Sequence, residues 1–478
     1  MPPPPAPGAR LICSGGASHC RPFRPRCGDR DRARVARVRG LRGRLPGSRD
    51  LAGIWMRRGL FVIGGVAVGA AAVLMAVLAD AAQAGFRAVI AVSPLIALVL
   101  TPLGFGLAAL LARTVFPNSQ GSGIPQVIAA RDIEDASLRH RLISLRIAAG
   151  KIVVMTLGLL CGASTGREGP TVQVGAALMA AAGPLAPERQ RGLLLAGGAA
   201  GVAAAFNTPL AGIVFGIEEL SRAYEAKTSS LILGAIIAAG LTSLALVGNY
   251  TYFGTTADTL PLGLAWFVVP LCGVLGGLSG GVFSRIVIAV ARGLPGAAGR
   301  FVSGRPVAFA ALCGLGVALC GLLTDGHIYG TGYEEAKALL HGTADTHAWF
   351  GPVKFVATTL SSISGIPGGL FAPSLAVGAG LGAQVAALFD GVPVGAVVLV
   401  GMVAYLTGVL QAPITSFVIV SEMTENHALV IPLMVAALLA DAASKLVCPE
   451  GLYHALAEPM VERITGRRVH APEVSGPA

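Results

Sequence analysis

The stretch Lys151-Ile-Val-Val-Met-Thr-Leu-Gly-Leu-Leu-Cys-Gly-Ala-Ser-Thr-Gly-Arg-Glu-Gly-Pro170 returns in altered form as Lys354-Phe-Val-Ala-Thr-Thr-Leu-Ser-Ser-Ile-Ser-Gly-Ile-Pro-Gly-Gly-Leu-Phe-Ala-Pro373. At this offset of 203 residues Lys151 meets Lys354, Gly162 meets Gly365, Pro170-Thr171 meets Pro373-Ser374, and Val174-Gly175-Ala176 meets Val377-Gly378-Ala379. At 204 residues Pro209 meets Pro413 and Glu218 meets Glu422, each glutamate nine residues after its proline. Gly121-Ser-Gly has a looser partner in Gly330-Thr-Gly at 209 residues. Chance explains any one of these matches but not an ordered series in one register. One plan is written twice, from about residue 57 to 247 and from about 264 to 453.

The chain of 478 residues is 54% hydrophobic and only 13% charged, with 65 glycines. Soluble domains carry about 25% charged residues, so lipid must be the solvent for much of this surface. Apolar stretches such as Gly59–Ala79, Val89–Ala112, Leu231–Val247, Leu264–Phe283 and Ala308–Leu323 come close to or exceed the about 20 residues that cross a bilayer. The glycines suit close helix packing. Other apolar segments are shorter and open at proline: Pro170–Ala182, Pro209–Leu220, Pro373–Phe389 and Pro413–Val420. Proline fits the first turn of a helix and not its interior, so these read as broken helices that start inside the membrane. Irregular backbone is tolerated there only where it is buried in protein or lines a cavity. Two such halves in one membrane chain are the pattern of transporters, whose sites lie near the midplane. The expected fold is an all-α polytopic membrane protein, an inverted repeat of two halves with many tilted and broken helices.

The formal charge of +11 belongs to one end. The first 58 residues hold 14 arginines and 3 aspartates, and the remainder sums to zero. A nucleic-acid reading of the basic balance fails for that reason. Residues 1–55 are rich in Pro, Gly and Arg without apolar periodicity and read as a disordered basic arm. Met56-Arg57-Arg58 reads equally as the start of the membrane protein, with the N-terminus cytoplasmic by the positive-inside rule. Cys13, Cys20 and Cys27 recur every seven residues beside His19, a spacing too loose for zinc. No metal or cofactor is expected. Residues 466–478 read as a short tail.

Three Gly-rich turns lead into proline-initiated helices: Gly121-Ser-Gly-Ile-Pro125, Gly166-Arg-Glu-Gly-Pro170 and Gly368-Gly-Leu-Phe-Ala-Pro373. A helix N-terminus carries about half a positive charge and unpaired N–H groups. Several aimed at one point make an anion site without a fixed full charge. One turn alone reads as a helix break that aids packing; three, one of them repeated in both halves, read as a site. Glu168 lies in the second turn. A midplane carboxylate costs at least about 2.5–3.5 kcal/mol on insertion scales and is functional by default. Ionised, it can occupy an anion site itself; protonated, it can leave. Glu218 and Glu219 end the apolar run Leu210–Ile217, where the residues alone read equally well as a solvated helix end. Lys151 is an intramembrane base, read from the residues as half of a structural ion pair with an acid near Asp132.

The three motifs, in this order and spacing, resemble the CLC family of chloride channels and chloride/proton exchangers, from about Arg57 to Glu462. The resemblance implies a homodimer with one complete pathway per subunit. It implies chloride binding at Ser122, Gly123, Ile124, Leu370, Phe371 and Tyr453. It makes Glu168 the gate and external proton site, with Glu219 and its neighbour Glu218 serving internal proton transfer. Arg167, Gly169 and Lys151 support the site, Lys151 by raising the local positive potential and Arg167 as a shaper of the external mouth or a plain charge partner. In this family a glutamate at the position of Glu219 marks exchangers, so the expected activity is chloride/proton antiport. Gln126 departs from the glutamate many relatives carry there.

Two rival readings stand beside this one. Gly162-Ala-Ser-Thr-Gly166 and Gly277-Leu-Ser-Gly-Gly281 match the G-x-S-x-G pattern of serine hydrolases, but His140, His327, His341, His347, His427 and His454 lie in or beside polar stretches, so an enzyme is not expected. A passive chloride channel gated by voltage or pH is the alternative; Glu219 argues against it. Too few residues follow Glu462 for a regulatory domain pair of the kind many eukaryotic relatives carry, which favours a bacterial plasma membrane.

Overall fold

The computed structural model describes residues 48–185, 189–221, 229–248, 251–343 and 349–466. The expected N-terminal arm and its three cysteines fall outside these residues, except that Ser48–Trp55 belongs to the first helix rather than to a disordered arm. Most of the C-terminal tail lies outside as well. The chain divides at Arg57, and the body from Arg58 onward is described below.

The first half runs from α1 (Ser48–Val92) to α2 (Ala97–Thr114), α3 (Ile124–Asp132), the short α4 (Ala136–His140) and α5 (Leu145–Leu160). It continues through α6 (Glu168–Ala181), α7 (Gln190–Phe206), α8 (Pro209–Phe215) with a widened π turn over Gly216–Ser221, and α9 (Ser229–Val247). The second half holds α10 (Val268–Arg292), α11 (Gly296–Gly304), α12 (Pro306–Leu323), α13 (Tyr333–Leu340) and α14 (Phe350–Ile363). It ends with α15 (Phe371–Ala386), α16 (Val394–Leu410), α17 (Pro413–Thr424), α18 (Val430–Val447) and α19 (Leu452–Thr465). Seven stretches among the described residues are helical, long and apolar enough to cross a membrane. The chain is a multi-pass membrane protein.

One expected span is corrected. The apolar run Val89–Ala112 is not one helix: Val89 lies in the last turn of a 35-residue span, Arg58–Val92, and the chain turns at Ser93-Pro94. Ser93 is extended (φ −159°, ψ 121°), because the ring of the following proline disfavours the helical region. The broken helices form, with shifted ends. α6 and α15 begin at Glu168 and Phe371, two residues before their prolines.

The two halves repeat down to single bonds. Gly162 and Gly365 share φ 82°, and Asn207 and Gln411 close α7 and α16 in left-handed conformations of φ 56° and 55°. α7 packs on α6 and α16 on α15 with no room for a side chain between them. A Cβ on Gly197 would lie 2.3 Å from Gly175 O, and one on Gly401 would lie 2.5 Å from Gly378 O. Both α7 and α16 are buried along most of their length, protein rather than lipid surrounding their all-round apolar surface.

Buried lysines hold equivalent loops. Lys151 Nζ donates to Gly121 O at 2.8 Å and Gln120 O at 3.3 Å, and Lys354 Nζ donates to Ile328 O at 2.8 Å and Gly330 O at 2.9 Å. The ion-pair reading of Lys151 is thereby corrected: its partners are backbone carbonyls of the turn before α3. The prolines that open α8 and α17 supply no N–H, but the next N–H groups need acceptors. Each is capped from the opposite half. Glu422 accepts from Leu210 N (3.1 Å) and Ala211 N (2.8 Å) of α8. Glu218 accepts from Ile414 N (3.1 Å), Thr415 N (2.6 Å) and Thr415 Oγ1 (2.7 Å) of α17. The halves meet at an antiparallel bridge in which Gly166 and Gly369 exchange N–H···O bonds of 2.8 and 2.7 Å.

Candidate functional site

The Gly166–Gly369 bridge brings the N-termini of α6 and α15 side by side. Ser164 and Thr165 lead into it, with Ser164 N donating to Ser361 Oγ at 3.1 Å and Ser164 Oγ bonded to Thr358 Oγ1 at 3.1 Å. The serine of the first hydrolase-like pattern is thus bonded to two hydroxyls and serves the turn. A second bridge, Gly121 N to Ile366 O and Gly368 N to Gly121 O (both 3.2 Å), ties the turn before α3 to the same place. Gly123, at φ +101°, directs the chain into α3, a conformation that suits glycine. Three helix N-termini therefore converge on one buried region.

Glu168 is the first residue of α6 rather than a residue ahead of it, with Arg167 at the N-cap. Its side chain is fully buried. The carboxylate folds back over Gly166, Oε2 lying 2.2 Å from where a Gly166 Cβ would be. Backbone N–H groups of Ala372, Arg167 and Glu168 itself are the nearest donors, yet neither oxygen has a hydrogen-bond partner among the described residues. The carboxylate sits as an anion does, in the field of two helix ends without a dedicated bond.

Below it, Ser122 Oγ packs against Gly169, 2.4 Å from where a Cβ there would be; any side chain at 169 would displace the hydroxyl. Tyr453, on the first turn of α19, is fully buried and its hydroxyl interacts with Ser122. Neither hydroxyl has a standard hydrogen bond among the described residues, so both are available to a ligand. Phe371 stacks on Tyr453 (centroids 6.5 Å apart, planes at 28°) and meets Phe206 and Phe215 edge-on at 5.7 and 5.8 Å. Leu370 is the N-cap of α15 and Ile124 opens α3; both are buried.

Two cavities approach this region. One, about 290 Å³, is lined by Asp80, Gln83, Arg167, Tyr252, Thr331 and Tyr333 among others. Arg167 Nη1 donates to Asp80 Oδ1 (3.0 Å) and Ala76 O (2.9 Å), so it is both a charge partner and a wall of this mouth. The other, about 280 Å³, ends at Ser122 and is lined by Gln120, Gln126, Arg113 and Arg463. Gln126 Nε2 donates to Gln120 O at 2.6 Å, so the departure noted in the sequence shapes this second mouth. Glu168, Leu370, Phe371 and Tyr453 line neither cavity.

The glutamate pair divides. Glu218 was expected in proton transfer, but its carboxylate is engaged by three donors as the cap of α17. Glu219 is 5% exposed, lies in the π turn, and is within electrostatic reach of Tyr453. Its neighbour is His454, with Nε2 3.1 Å from Glu219 O and 3.9 Å from Oε1. Sequence reading passed over His454. The available signal was its place directly after Tyr453. Reading also left Glu422 without a duty, although its alignment with Glu218 was visible.

Comparison with known proteins agrees with this architecture. The pattern describing the voltage gated chloride channel family matches residues 103–445. An H(+)/Cl(-) exchange transporter ClcA of Yersinia pestis bv. Antiqua (strain Angola) is 32% identical over 394 residues, covering 75% of this chain and 78% of that protein. The ClcA of Salmonella paratyphi B is 31% identical over 382 residues with the same coverage. Among solved structures, a slow cyanobacterial Cl-/H+ antiporter superposes with TM-score 0.71 at 23% identity, over 85% of this chain and 98% of that one. A CLC-type fluoride/proton antiporter gives TM-score 0.72 at 22% identity, over 86% and 99%. At these identities the two structures speak for the fold alone.

Proposed function

The chain belongs to the voltage gated chloride channel family, and from that premise we propose that it is a chloride/proton antiporter of a bacterial plasma membrane, with Glu168 as gate and external proton carrier. The carrying observation is the Glu168 carboxylate, fully buried and lodged at paired helix N-termini beside the backbone N–H groups of Ala372, Arg167 and Glu168 itself. Ionised, it takes the place an anion would take, favoured by the partial positive charge of the helix ends. A proton removes that attraction and frees the side chain to leave. Chloride then passes between the outer cavity and the place flanked by the Ser122 and Tyr453 hydroxyls, the backbone at Gly123 and Ile124, and the N–H groups of Leu370 and Phe371. Among the described residues no cation is bonded at this place, which suits release, since chloride is held by dipoles and hydroxyls. Lys151 supports the site by fixing the turn that carries Ser122, Arg167 by walling the outer mouth, and Gly169 by leaving room for the Ser122 hydroxyl.

Glu219 favours exchange over passive conduction. It is buried near Tyr453 and is absent from the lining of the inner cavity, which supports a proton route that parts from the chloride route below Glu168. The same reading takes residues from about 57 to 247 and from about 264 to 453 as the two halves, and the working unit as a homodimer. Exposed Leu210 and Ile217, Ile237, Ile414 and Ile431 on the adjoining α8, π turn, α9, α17 and α18 support an apolar contact face there. The test is purified protein in chloride-loaded liposomes with chloride efflux and external pH recorded together. Uphill proton movement, lost in Glu168→Gln and Glu219→Gln while chloride still flows, is the expected result. Chloride flux without proton movement in the unmodified protein makes it a channel and overturns the reading.

A further inference from the structure

The two mouths differ in charge. Among the described residues, the outer cavity is lined by the acids Asp80, Glu334 and Glu335 as well as by Arg87 and Arg167. The inner cavity is lined by two arginines, Arg113 and Arg463, and by no acid. The acids nearest to Arg463 along the chain do not answer it: Glu458 reaches Arg292, and the exposed Glu462 is absent from the lining. Neither guanidinium has a hydrogen bond or ion pair among the described residues. The two are close enough to repel each other, and Arg113 Nη2 lies 3.5 Å from where a Gly365 Cβ would be, over the turn that leads to α15.

Backbone dipoles hold these like charges in place. Arg113 is in the last turn of α2 and Arg463 in the last turn of α19, and a helix C-terminus carries about half a negative charge. Two such ends offset about one of the two positive charges. The charge that is left faces a cleft, and a cleft lined by one sign focuses its field. The amide and most hydroxyl donors of the lining are engaged. Gln120 Nε2 donates to Ala112 O, Gln126 Nε2 to Gln120 O and Asn118 Nδ2 to Arg141 O. The Ser362 and Ser364 hydroxyls donate to Thr358 O and Ser361 O. The two guanidiniums and the Ser122 hydroxyl remain. Val287, Val302, Phe309, Leu456 and Met460 supply an apolar wall.

We propose that the inner cavity is a binding site for a phosphate-class dianion, gripped by Arg113 and Arg463 together. A guanidinium is a planar fork that meets two oxygens of a tetrahedral oxyanion at once, whereas chloride offers only a point charge. Two forks on one phosphate answer the charge that the helix ends leave and remove the repulsion between the arginines. The cavity, about 280 Å³, lies just below the range of small-molecule pockets, about 300–1,000 Å³, and its apolar wall receives the carbon part of a phosphate ester. Because the cavity ends at Ser122, an occupant stands between the cytoplasm and the chloride place. Phosphate therefore competes with cytoplasmic chloride and slows transport without touching Glu168 or Glu219. A soluble phosphate and a lipid headgroup share this chemistry, and the test tells them apart.

Binding at the arginines does not depend on proton coupling, so its test stands apart from the exchange reading. Titration calorimetry on the full-length protein in detergent compares inorganic phosphate with sodium gluconate at equal ionic strength. Phosphate is expected to bind the parent, and to bind Arg113→Gln and Arg463→Gln roughly tenfold more weakly or worse. Arg113→Lys and Arg463→Lys keep the charge without the fork, and an intermediate loss is expected. In liposomes with phosphate on both sides, chloride efflux from the parent is expected to slow, and added chloride to relieve it. The double Arg→Gln variant is expected not to respond. Slower efflux in vesicles containing phosphatidic acid than in phosphatidylcholine alone, with no phosphate added, assigns the lipid headgroup; slowing by dissolved phosphate alone assigns the soluble ion. Equal phosphate binding by the parent and the double variant overturns the proposal. So does phosphate that acts on the parent no more than gluconate does, a comparison that needs no variant to fold. A parent that moves no chloride overturns the transport reading, while calorimetry still decides the site.

Discussion

Glu218→Gln tests whether the first glutamate of the pair is a cap or a proton carrier. Its Oε2 accepts from both Thr415 N and Thr415 Oγ1, and its Oε1 accepts from Ile414 N. An amide can keep the bonds at one oxygen, but its NH2 then points a donor at a donor. One hydrogen bond to a charged group is lost, about 1.5–3 kcal/mol, together with the charge–dipole attraction at the start of α17, about 0.3–1 kcal/mol. The expected destabilisation is about 2–4 kcal/mol, toward the lower end because the site is partly open. Glu422→Gln loses one of two bonds, to Leu210 N or Ala211 N, and is expected to cost somewhat less. Because α8 and α17 pack on each other, the double variant is expected to depart from additivity. The assay is denaturant unfolding in detergent micelles, reading the midpoint at constant slope, followed by coupled flux in liposomes. Lower midpoints with proton coupling intact support the cap. An unchanged midpoint with lost proton coupling refutes it and returns Glu218 to the proton path.

Tyr453→Phe removes a hydroxyl with no standard partner among the described residues, so the thermal midpoint is expected to hold while chloride affinity falls roughly tenfold; titration calorimetry reads this, and unchanged affinity would remove the hydroxyl from the site. Gly197→Ala and Gly401→Ala each place a Cβ within 2.3–2.5 Å of a carbonyl oxygen, and both are expected to abolish monodisperse protein on size exclusion; normal yield of either would refute the close approach. Lys151→Met removes one of the two donors held by each of the carbonyls of Gln120 and Gly121, and chloride affinity is expected to drop because Ser122 is the next residue. Lys354→Met frees the loop carrying Thr331 and Gly332 at the outer mouth, with altered external chloride dependence the expected reading.

Some of the site could be read residue by residue. Glu168, proposed as the gate, stands out in the sequence because it is an acid inside an apolar chain, bracketed by glycines and followed by proline. The lysine pair was legible as a repeat, yet its partners were not. A spacing records which residues correspond, and the acceptors of Lys151 lie 30 and 31 residues away along the chain. The duty of Glu218 was hidden for the same reason: its donors lie 196 and 197 residues away. Next to Glu219 it looked like half of a functional pair, whereas the π turn directs the two side chains to different neighbours. The break at Ser93-Pro94 was a different failure, since hydropathy averages over a proline that backbone sterics obey.

By itself the sequence determined the solvent, the duplication and the kind of chemistry. Low charge demands lipid, the register of matches demands two like halves, and Gly-rich turns before proline demand helix ends inside the membrane. These are local or periodic properties, and local physics decides them. Only the tertiary structure decided what each end faces. It brought Gly166 against Gly369, put the Glu168 carboxylate where two helix ends meet, crossed the caps between Glu218 and Glu422, and laid His454 over Glu219. Those pairings join residues separated by up to 235 positions. They depend on how closely α6 and α7, and α15 and α16, approach through their glycines, a distance that hydropathy and spacing do not record.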